Sequence, residues 1–235
     1  MKKQTGYSLI ELMISMLIGL IILSATVGIY VNTVGSSSNT LKSARLNYDV
    51  DSAMVLMVND IRRSGYWSGA MPPGPLADNP FTAATTDVNT STAGCILYTY
   101  DADADGVVDP EEYYGFKLNG SNIQMRFSGN TTTDCSQGNW ENLNIANGSE
   151  QVNVTALTFT PSYKCLRRRQ GVVDQDYNTT CATQIAANTI ITGDQVVETR
   201  EISIQLNGQV ASDATSHKEL SGQVKIANER MFRQP

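Results

Sequence analysis

The chain of 235 residues is poor in histidine and has no excess of positive charge, and each shortage excludes a class of function. His217 is the single histidine, so neither a histidine-based metal cluster nor a pair of imidazole acid–base groups can be assembled. Lysine and arginine number 17 against 23 aspartate and glutamate, which gives a net charge of −6. Because neutralising phosphates requires clustered positive charge, no specific nucleic-acid partner is expected.

Long apolar runs are also absent, with one exception. Residues 12–31 carry no charge over twenty positions, and an α-helix of that length spans roughly 30 Å, the thickness of a bilayer's hydrocarbon core. Lys2 and Lys3 precede the run and no basic residue follows before Lys42, so the positive-inside rule predicts a cytoplasmic N-terminus and an exported remainder. A cleaved secretory signal would be shorter and would end in a small-residue site, which is missing here.

Glu11 lies at the cytoplasmic edge of this run, where an ionisable group is costly unless it is paired or reaches the headgroup zone. The stretch KKQTGYSLIE, from Lys2 to Glu11, resembles the class III leader and mature start of type IV pilins and related pseudopilins. The resemblance implies that a prepilin peptidase cuts between Gly6 and Tyr7 and methylates the new amino terminus on Tyr7. Phe is usual at that first position, and Tyr7 preserves an aromatic ring. The resemblance also implies that Glu11 pairs with a neighbouring subunit's terminal amine in the filament core.

Further motifs resemble minor pilins of the PilW group across effectively the whole chain. They are GYSLIELMISMLIGLIIL, DIRRSGYW, YTYDADADG, YYGFKL and the closing strand before Asn228. The resemblance implies a subunit of the type IV pilus, close to the filament tip, that helps to initiate assembly for motility, adhesion or DNA uptake. Its implied partners are other minor and major pilins, the prepilin peptidase, an inner-membrane assembly platform and a tip adhesin. Its implied location is the inner membrane, with a periplasmic head, and then the pilus fibre.

Two other functions are weighed against this one. A minor pseudopilin of a type II secretion system would share the same N-terminal chemistry. A membrane-anchored enzyme is disfavoured, because neither a nucleophile with a base nor a cofactor motif is visible, so no enzymatic activity is expected.

The helical pattern continues beyond the membrane span. Val50, Met54, Met57 and Ile61 repeat at spacings of 4, 3 and 4, which predicts an apolar face. A neighbouring stripe is interpreted as part of the same wide face in contact with the following sheet; it consists of Leu41, Ala44, Tyr48, Val55 and Val58. Gly65 is predicted to end the helix, which begins near Ser8. The predicted organisation is a leader (1–6), a transmembrane and filament-core helix (7–31), an amphipathic helix (32–65) and a β-rich head (66–235).

The head is predicted to be β-rich after a long irregular connection at 66–93. Strands are predicted at 96–100, 113–118, 123–128, 152–160, 197–206 and 223–227, with a polar loop at 207–217. Sequential strands with short turns and without helical crossovers favour an antiparallel sheet. The predicted fold class is therefore α+β, a long N-terminal helix packed on an antiparallel sheet, which is also the pilin architecture.

Four cysteines lie in the exported part, where oxidation is expected. Of three possible connectivities, Cys95–Cys135 with Cys165–Cys181 is favoured because each pair brackets a local unit. The spacing does not suit a zinc site, which needs closely paired cysteines.

The run Arg167, Arg168 and Arg169 has two interpretations. It is either a solvated loop or a contact with an acidic partner pilin, or with DNA in a filament that takes up DNA. His217 is interpreted as a loop residue rather than a ligand.

The segment from Asp101 to Glu112 matches the twelve-residue loop of an EF-hand. Gly106 supplies the sharp turn, and Asp109 can cap one helical turn that begins at Pro110 and lets Glu112 reach back. The five carboxylates at the ligand positions of such a loop repel one another unless a cation holds them; the alternative is an acidic, mobile turn between two strands. The pattern predicts a structural calcium site with oxygen ligands from Asp101, Asp103, Asp105, the Val107 carbonyl, Asp109 and Glu112.

Overall fold

The computed structural model describes residues 8–69, 79–143 and 152–234. The chain divides into two compact units, Met1–Ala44 and Arg45–Pro235. A single helix, α1 (Leu9–Ile61), contributes to both units, and the remaining elements belong to the second. These are β1 (Cys95–Thr99), β2 (Tyr113–Asn119), β3 (Asn122–Ser128), β4 (Asn139–Asn142), β5 (Val152–Arg169), β6 (Val172–Tyr177), α2 (Cys181–Ala186), β7 (Gln195–Val210), β8 (Asp213–Lys225) and β9 (Arg230–Arg233), with 3₁₀ turns at Pro80–Thr82 and Pro110–Glu112.

The first unit is the N-terminal part of α1. It is helical throughout its described length, including at Gly19, Gly28 and Gly35, and its side chains from Ser8 to Leu41 are exposed. The segment is long and apolar enough to cross a membrane by length and composition. This confirms the predicted long helix.

The second unit contains two antiparallel sheets. The predicted antiparallel strand direction is therefore confirmed, but the strands form two sheets and not the single sheet that was predicted. The first sheet has the order β1-β2-β3-β4, and β2 and β3 form the predicted hairpin through Gly120, whose φ is +62°. The second sheet has the order β6-β5-β7-β8. In that sheet β8 pairs with Glu201–Val210 of β7, whereas β9 pairs with the Gln195–Glu198 end of β7.

The core lies between the C-terminal part of α1 and both sheets. Val50, Met54, Met57 and Ile61 are buried, as the spacing predicts, together with Leu46 and Ala53. Two strand glycines let the helix come close to the second sheet. A Cβ on Gly208 would lie 2.8 Å from Cγ2 of Val50, and one on Gly222 would lie 2.7 Å from Sδ of Met54. Because real Cβ contacts are longer than this, larger residues at either position would push the helix outward.

The second stripe of α1 does not join this core, so that prediction is wrong. Leu41, Ala44, Tyr48 and Val55 are exposed, with Tyr48 at 72% and Val55 at 58%, and only Val58 is partly buried. At 100° per residue these positions lie largely across the helix from Val50 and Met57. A helix that rests on a sheet buries one side only.

Each of the six predicted strands overlaps a strand of the structure, so all six are confirmed. The three predicted strands of the second sheet are shorter than the observed β5, β7 and β8. β5 runs for 18 residues, and the predicted loop at 207–217 is wrong because β7 and β8 are joined by the two residues Ala211 and Ser212. Residues 70–78 of the predicted irregular connection lie outside the described residues. Four short elements were not predicted, because they are polar or lie at sheet edges: β4, β6, α2 and β9.

The structure pairs the cysteines in the favoured connectivity. Cys95 is bonded to Cys135 and Cys165 to Cys181, with Cα–Cα distances of 6.6 and 5.1 Å. The second bridge closes a separation of 16 residues, for which loop entropy in the unfolded chain corresponds to roughly 3 kcal/mol.

The turn that follows α1 is held by residues near the C-terminus of the chain. The side-chain amide of Asn228 donates to the carbonyls of Arg63 and Ser64, each at 3.1 Å, and the Ala227 N–H donates to the Arg62 carbonyl at 3.0 Å. α1 itself ends at Ile61, so the predicted stop at Gly65 is four residues late; Gly65, with φ at +72°, ends the following turn, and its N–H donates to the Thr99 carbonyl at 2.8 Å.

Candidate functional site

The N-terminal motif is described from Ser8 onward, so Gly6 and Tyr7 lie outside the described residues. Glu11 lies in the first turn of α1, where its N–H donates to the Ser8 carbonyl at 3.0 Å. Its side chain is exposed beside an apolar helix surface, and in the described part of the chain no cation lies within ion-pair distance of it. A carboxylate in such a place is available to a cation supplied by another molecule.

The acidic segment forms a tight loop between β1 and β2. Carboxylate oxygens of Asp101, Asp103 and Asp105 lie within 4.8 Å of one another, the one such cluster of potential metal ligands among the described residues. Asp101 is buried, whereas Asp103 and Asp105 are exposed. Gly106 has φ at +82°, as the predicted sharp turn requires. Asp109 and Glu112, which the sequence predicts as further ligands, are outside this cluster.

Glu112 ties the two ends of the loop together. Its carboxylate accepts from the Ala102 N–H at 2.6 Å and from the Asp109 N–H at 3.1 Å, so it reaches back across the turn that begins at Pro110, as predicted. Burial raises the pKa of Glu112, and the backbone donors oppose that shift. Burial acts in the same direction on Asp101, but hydrogen bonds from Ser68 and from the Gly106 N–H lower the pKa of Asp101 below its ordinary value. Asp101 is therefore ionised at neutral pH.

Residues after the end of α1 hold the loop from outside. The Ser68 N–H and Oγ both donate to the Asp101 carboxylate, at 2.9 and 2.5 Å. The Trp67 indole N–H donates to the Gly106 carbonyl at 3.1 Å. The acidic loop is thus connected to the segment that continues α1, and Trp67 is in direct contact with its turn.

Two family models match the chain. The model of the family described as prepilin peptidase-dependent protein B matches residues 39–226, and the model of the prokaryotic N-terminal methylation motif matches residues 1–27. The chain belongs to the prepilin peptidase-dependent protein B family. Neither the curated proteins nor the solved structures that were compared gave a match.

Membership of the prepilin peptidase-dependent protein B family confirms the resemblance to type IV pilin-like proteins. The methylation motif covers Gly6, Tyr7 and Glu11 together with the apolar part of α1. The chain is a type IV pilin-like protein with a helix suited to a membrane and with an N-terminal processing motif. Assignment to the PilW group stays a prediction.

The arginine run of this family member is not a solvated loop, so that interpretation is wrong. All three residues lie on β5, and each contacts its own chain. Arg167 is buried and donates to the Thr189 carbonyl at 3.3 Å, and Arg168 pairs with Asp174 at 3.2 Å. Arg169 binds both carboxylate oxygens of Asp194, at 2.6 and 2.7 Å. Arg167 and Arg169 are thus held within the chain, whereas the Arg168 side chain remains 57% exposed, and contact of the run with an acidic partner or with DNA stays a prediction.

The Arg169–Asp194 pair predicts a loss of stability in acid. The hydrogen bond from Arg169, opposed by desolvation, lowers the pKa of Asp194 to about 2. An unfolded aspartate titrates near 3.9, so the unfolded state takes up the proton first and the contribution to stability disappears as the pH falls from about 4 to about 2. In Asp194→Asn this part of the pH dependence is expected to be missing from thermal unfolding of the purified chain in detergent. Equal acid dependence in both proteins would contradict the prediction.

His217 lies on β8 rather than in a loop, so its predicted location is wrong. It is exposed, it pairs with Gln209, and its Nδ1 lies 3.2 Å from the Thr215 carbonyl. The metal-ligand cluster found among the described residues does not include it.

Buried polar contacts near the end of α1 could not be predicted. The Asp60 carboxylate accepts from the hydroxyls of Tyr98 and Tyr100, at 2.5 and 3.0 Å. Burial and the Asp60 charge raise the pKa of Tyr98 well above its ordinary value. Arg200, 1% exposed in its side chain, is ion-paired with Asp87 and donates to the Asn228 carbonyl at 2.9 Å. Alternating tyrosines in YTY are the one sequence signal for this group.

Proposed function

We propose that this chain is a minor pilin that is incorporated into type IV pili near the tip and helps to initiate their assembly. The carrying observation is the exposed, mainly apolar surface of α1, on which Glu11 is the one charged residue between Leu9 and Leu41. Such a surface is stable in a bilayer and, after extraction, among other apolar helices. The proposed role is structural, in keeping with a head whose described residues form a hydrophobic core, two disulfides and two sheets.

The proposed route begins in the inner membrane, with a cytoplasmic N-terminus and a periplasmic head. The prepilin peptidase removes residues 1–6, and the assembly platform then moves the subunit into contact with other minor and major pilins. A tip adhesin is the proposed neighbour at the distal end. Support for this order comes from the match of the methylation motif to residues 1–27 and from the PilW-like motifs.

A deletion strain tests this role. Loss of the chain is expected to reduce the number of surface pili at least tenfold while the level of major pilin in the membrane stays unchanged, since initiation and not subunit supply is affected. Pili are counted by electron microscopy, and the strain carrying the intact gene on a plasmid is the control. A deletion strain with normal pili and impaired protein secretion would instead support the minor pseudopilin.

We further propose that the acidic loop binds calcium as a structural ion. The residues that would hold it are Asp101, Asp103, Asp105, the Val107 carbonyl, Asp109 and Glu112, all oxygen donors of the kind calcium prefers. The clustering of three carboxylates within 4.8 Å supports the proposal, because such charges repel one another without a cation. The ion would neutralise this repulsion and fix the turn against Trp67.

Calcium is therefore expected to stabilise the purified chain in detergent. The melting temperature should rise by several degrees at calcium concentrations around 10⁻³ M, the affinity range of extracellular modules, and Trp67 fluorescence should change over the same range. Magnesium at equal concentration serves as the ionic-strength control.

Loss of the response should follow from changes that leave the fold intact. Asp103 and Asp105 are exposed, so the double variant Asp103→Asn with Asp105→Asn removes two charges at little structural cost. Glu141→Gln with Glu219→Gln changes the net charge equally at two other exposed positions. A response retained in the first variant, or absent from the natural chain, would contradict the proposed site.

A further inference from the structure

One end of the second sheet is a row of four antiparallel strands in the order β6, β5, β7 and β9. β6 pairs with Cys165–Arg169 of β5, this part of β5 pairs with β7, and β9 pairs with Gln195–Glu198 of β7. Among the described strands, none pairs with the outer side of β6 or of β9. Because neighbouring strands alternate in direction and the row has four of them, β6 and β9 run in opposite directions. A second copy in the same orientation would therefore continue the antiparallel pattern.

The two free edges carry opposite charge. β6, with the sequence VVDQDY, has exposed Asp174 and Asp176, and β9, with the sequence RMFR, has Arg230 and Arg233. Asp174 pairs with Arg168, whereas no ion pair within the described residues involves Asp176, Arg230 or Arg233. Arg230 lies over the Phe232 ring, 4.9 Å from its centroid, but both arginines are without an ion-pair partner among the described residues. The basic edge thus has two charges for an acidic partner, and β6 is an acidic strand of suitable length.

The register across the row sets which residues would meet. Asp176, Leu166, Val197 and Met231 follow one another across the four strands, and so lie on one face. A copy displaced sideways without a shift along the strands would place its Asp176 beside Met231. The same displacement places Asp174 beside Arg233, which is an opposite-charge cross-strand pair.

Tyr177, Cys165, Glu198 and Arg230 form the adjacent line across the row, on the other face. The displaced copy would bring its Tyr177 beside Arg230, an arrangement suited to a cation–π contact. All four residues of β9 would then have partners in Asp174–Tyr177. In this one register the opposite charges lie beside each other, and the paired side chains lie on the same face of the sheet.

The surface beside β9 has room for an added strand. A groove of about 450 Å³ is lined by Arg230–Arg233, by Pro80 and Ala83 on one side and by Ala182 and Ile185 on the other. Its walls combine these apolar side chains with the polar Asn79, Thr82 and Gln234, and its charges are the two arginines. An extended acidic segment fits this groove better than a basic or bulky one.

We propose that heads of two copies of this chain join edge to edge, with β6 of one copy added to β9 of the next. The contact is heterologous, since it uses different surfaces on the two copies, and it can repeat into an open row. This inference goes beyond the proposed function and applies equally to a pilus and to a secretion pseudopilus. Edge charges also discourage non-specific strand pairing, so an edge that stays unpaired is the competing outcome.

Cysteine cross-linking of the full-length chain in membranes tests the contact. Two differently tagged forms are co-expressed, one with Met231→Cys and the other with Asp176→Cys, and mild oxidant is added. A disulfide-linked dimer containing both tags is expected, because facing Cβ atoms in such pairs are about 5 Å apart. Gln175→Cys, on the opposite face of β6, replaces Asp176→Cys in the matched control. Intact-mass measurement verifies that both native disulfides are retained.

Two results of this experiment would overturn the proposal. The first is a mixed-tag dimer no more abundant than in the Gln175→Cys control. The second is efficient linkage of Met231→Cys chains to one another, which would indicate a symmetric contact. A chain carrying both cysteines should form a ladder of dimers, trimers and longer species, as a repeating heterologous contact requires.

Charge reversal separates specific pairing from chance collision. Adding Arg233→Asp to the Met231→Cys chain is expected to lower the cross-linked fraction by roughly a factor of five, since like charges facing each other cost on the order of 1 kcal/mol. Adding Asp174→Arg to the other chain should then restore it. Equal yields in all three combinations would show that the edges do not recognise each other, and the proposal would be wrong.

Discussion

A chain carrying Gly6→Glu should accumulate in the membrane as an unprocessed precursor, and one carrying Glu11→Ala should be processed but absent from filaments. The proposed cleavage after residue 6 needs a flexible residue without a side chain, so a carboxylate there is expected to block it. The proposed role of Glu11 comes later, when the new amine of a neighbouring subunit needs a counter-charge among apolar helices. Removing one partner of a buried ion pair costs roughly 3–5 kcal/mol, a factor of more than a hundred in incorporation.

Intact-mass measurement on membranes and on sheared filaments distinguishes the two variants. Thr5→Ala is the matched control for processing, and Ser15→Ala, one helical turn beyond Glu11 and also exposed, is the control for incorporation. Mature chains beginning at Tyr7 in the Gly6→Glu strain would refute the cleavage role. Normal levels of Glu11→Ala chains in filaments would refute the pairing role. The separate readouts show which step has failed.

The second large effect is expected at Met57, which is completely buried between α1 and the sheets. Met57→Ala should lower the free energy of unfolding by about 2–5 kcal/mol, because the lost contacts leave a cavity that the sheets cannot close. Val55→Ala removes a side chain of similar character from the same helix, but from a position that is 58% exposed. That variant should change stability by less than about 0.5 kcal/mol.

Urea titration of the purified chains in detergent, followed by circular dichroism, gives both values. The comparison is informative because the sequence assigns both residues to one wide apolar face. A large loss in both variants would mean that the stripe containing Val55 is packed in the protein as isolated. Small losses in both would mean that the helix does not rest on the sheets through Met57.

Most of the fold follows from local patterns. The spacing of Val50, Met54, Met57 and Ile61 is sufficient for the buried helix face, and Asn119–Asn122 for the β2–β3 hairpin. Tyr48 and Val55 show where the pattern stops being informative, because hydrophobicity alone cannot tell a face that meets a sheet from a face that remains open. Residues 207–217 form the turn and the adjoining ends of the β7–β8 hairpin. Because one face of this hairpin is solvated, the alternation of apolar and polar residues is weak there, and the sequence is mistaken for a loop.

The candidate sites also differ in how well the sequence predicts them. The residues of the acidic loop are contiguous, so their spacing is sufficient to predict that Asp101, Asp103 and Asp105 cluster and that Glu112 reaches back across the turn. Arg167 and Arg169 depend on Thr189 and Asp194, which follow them by more than twenty positions and approach only through the path of α2 and β7. No local pattern contains such partners.

The turn that follows α1 has a consequence for the timing of folding. The carbonyls of this turn receive donors from Ala227 and Asn228, and the bond between Asn228 and Arg63 spans 165 positions. Closing so long a loop is entropically slow, and it cannot begin until nearly the whole chain has been synthesised. The contacts that complete this turn therefore form late, and a chain truncated before Ala227 would lack the donors to the carbonyls of Arg62, Arg63 and Ser64.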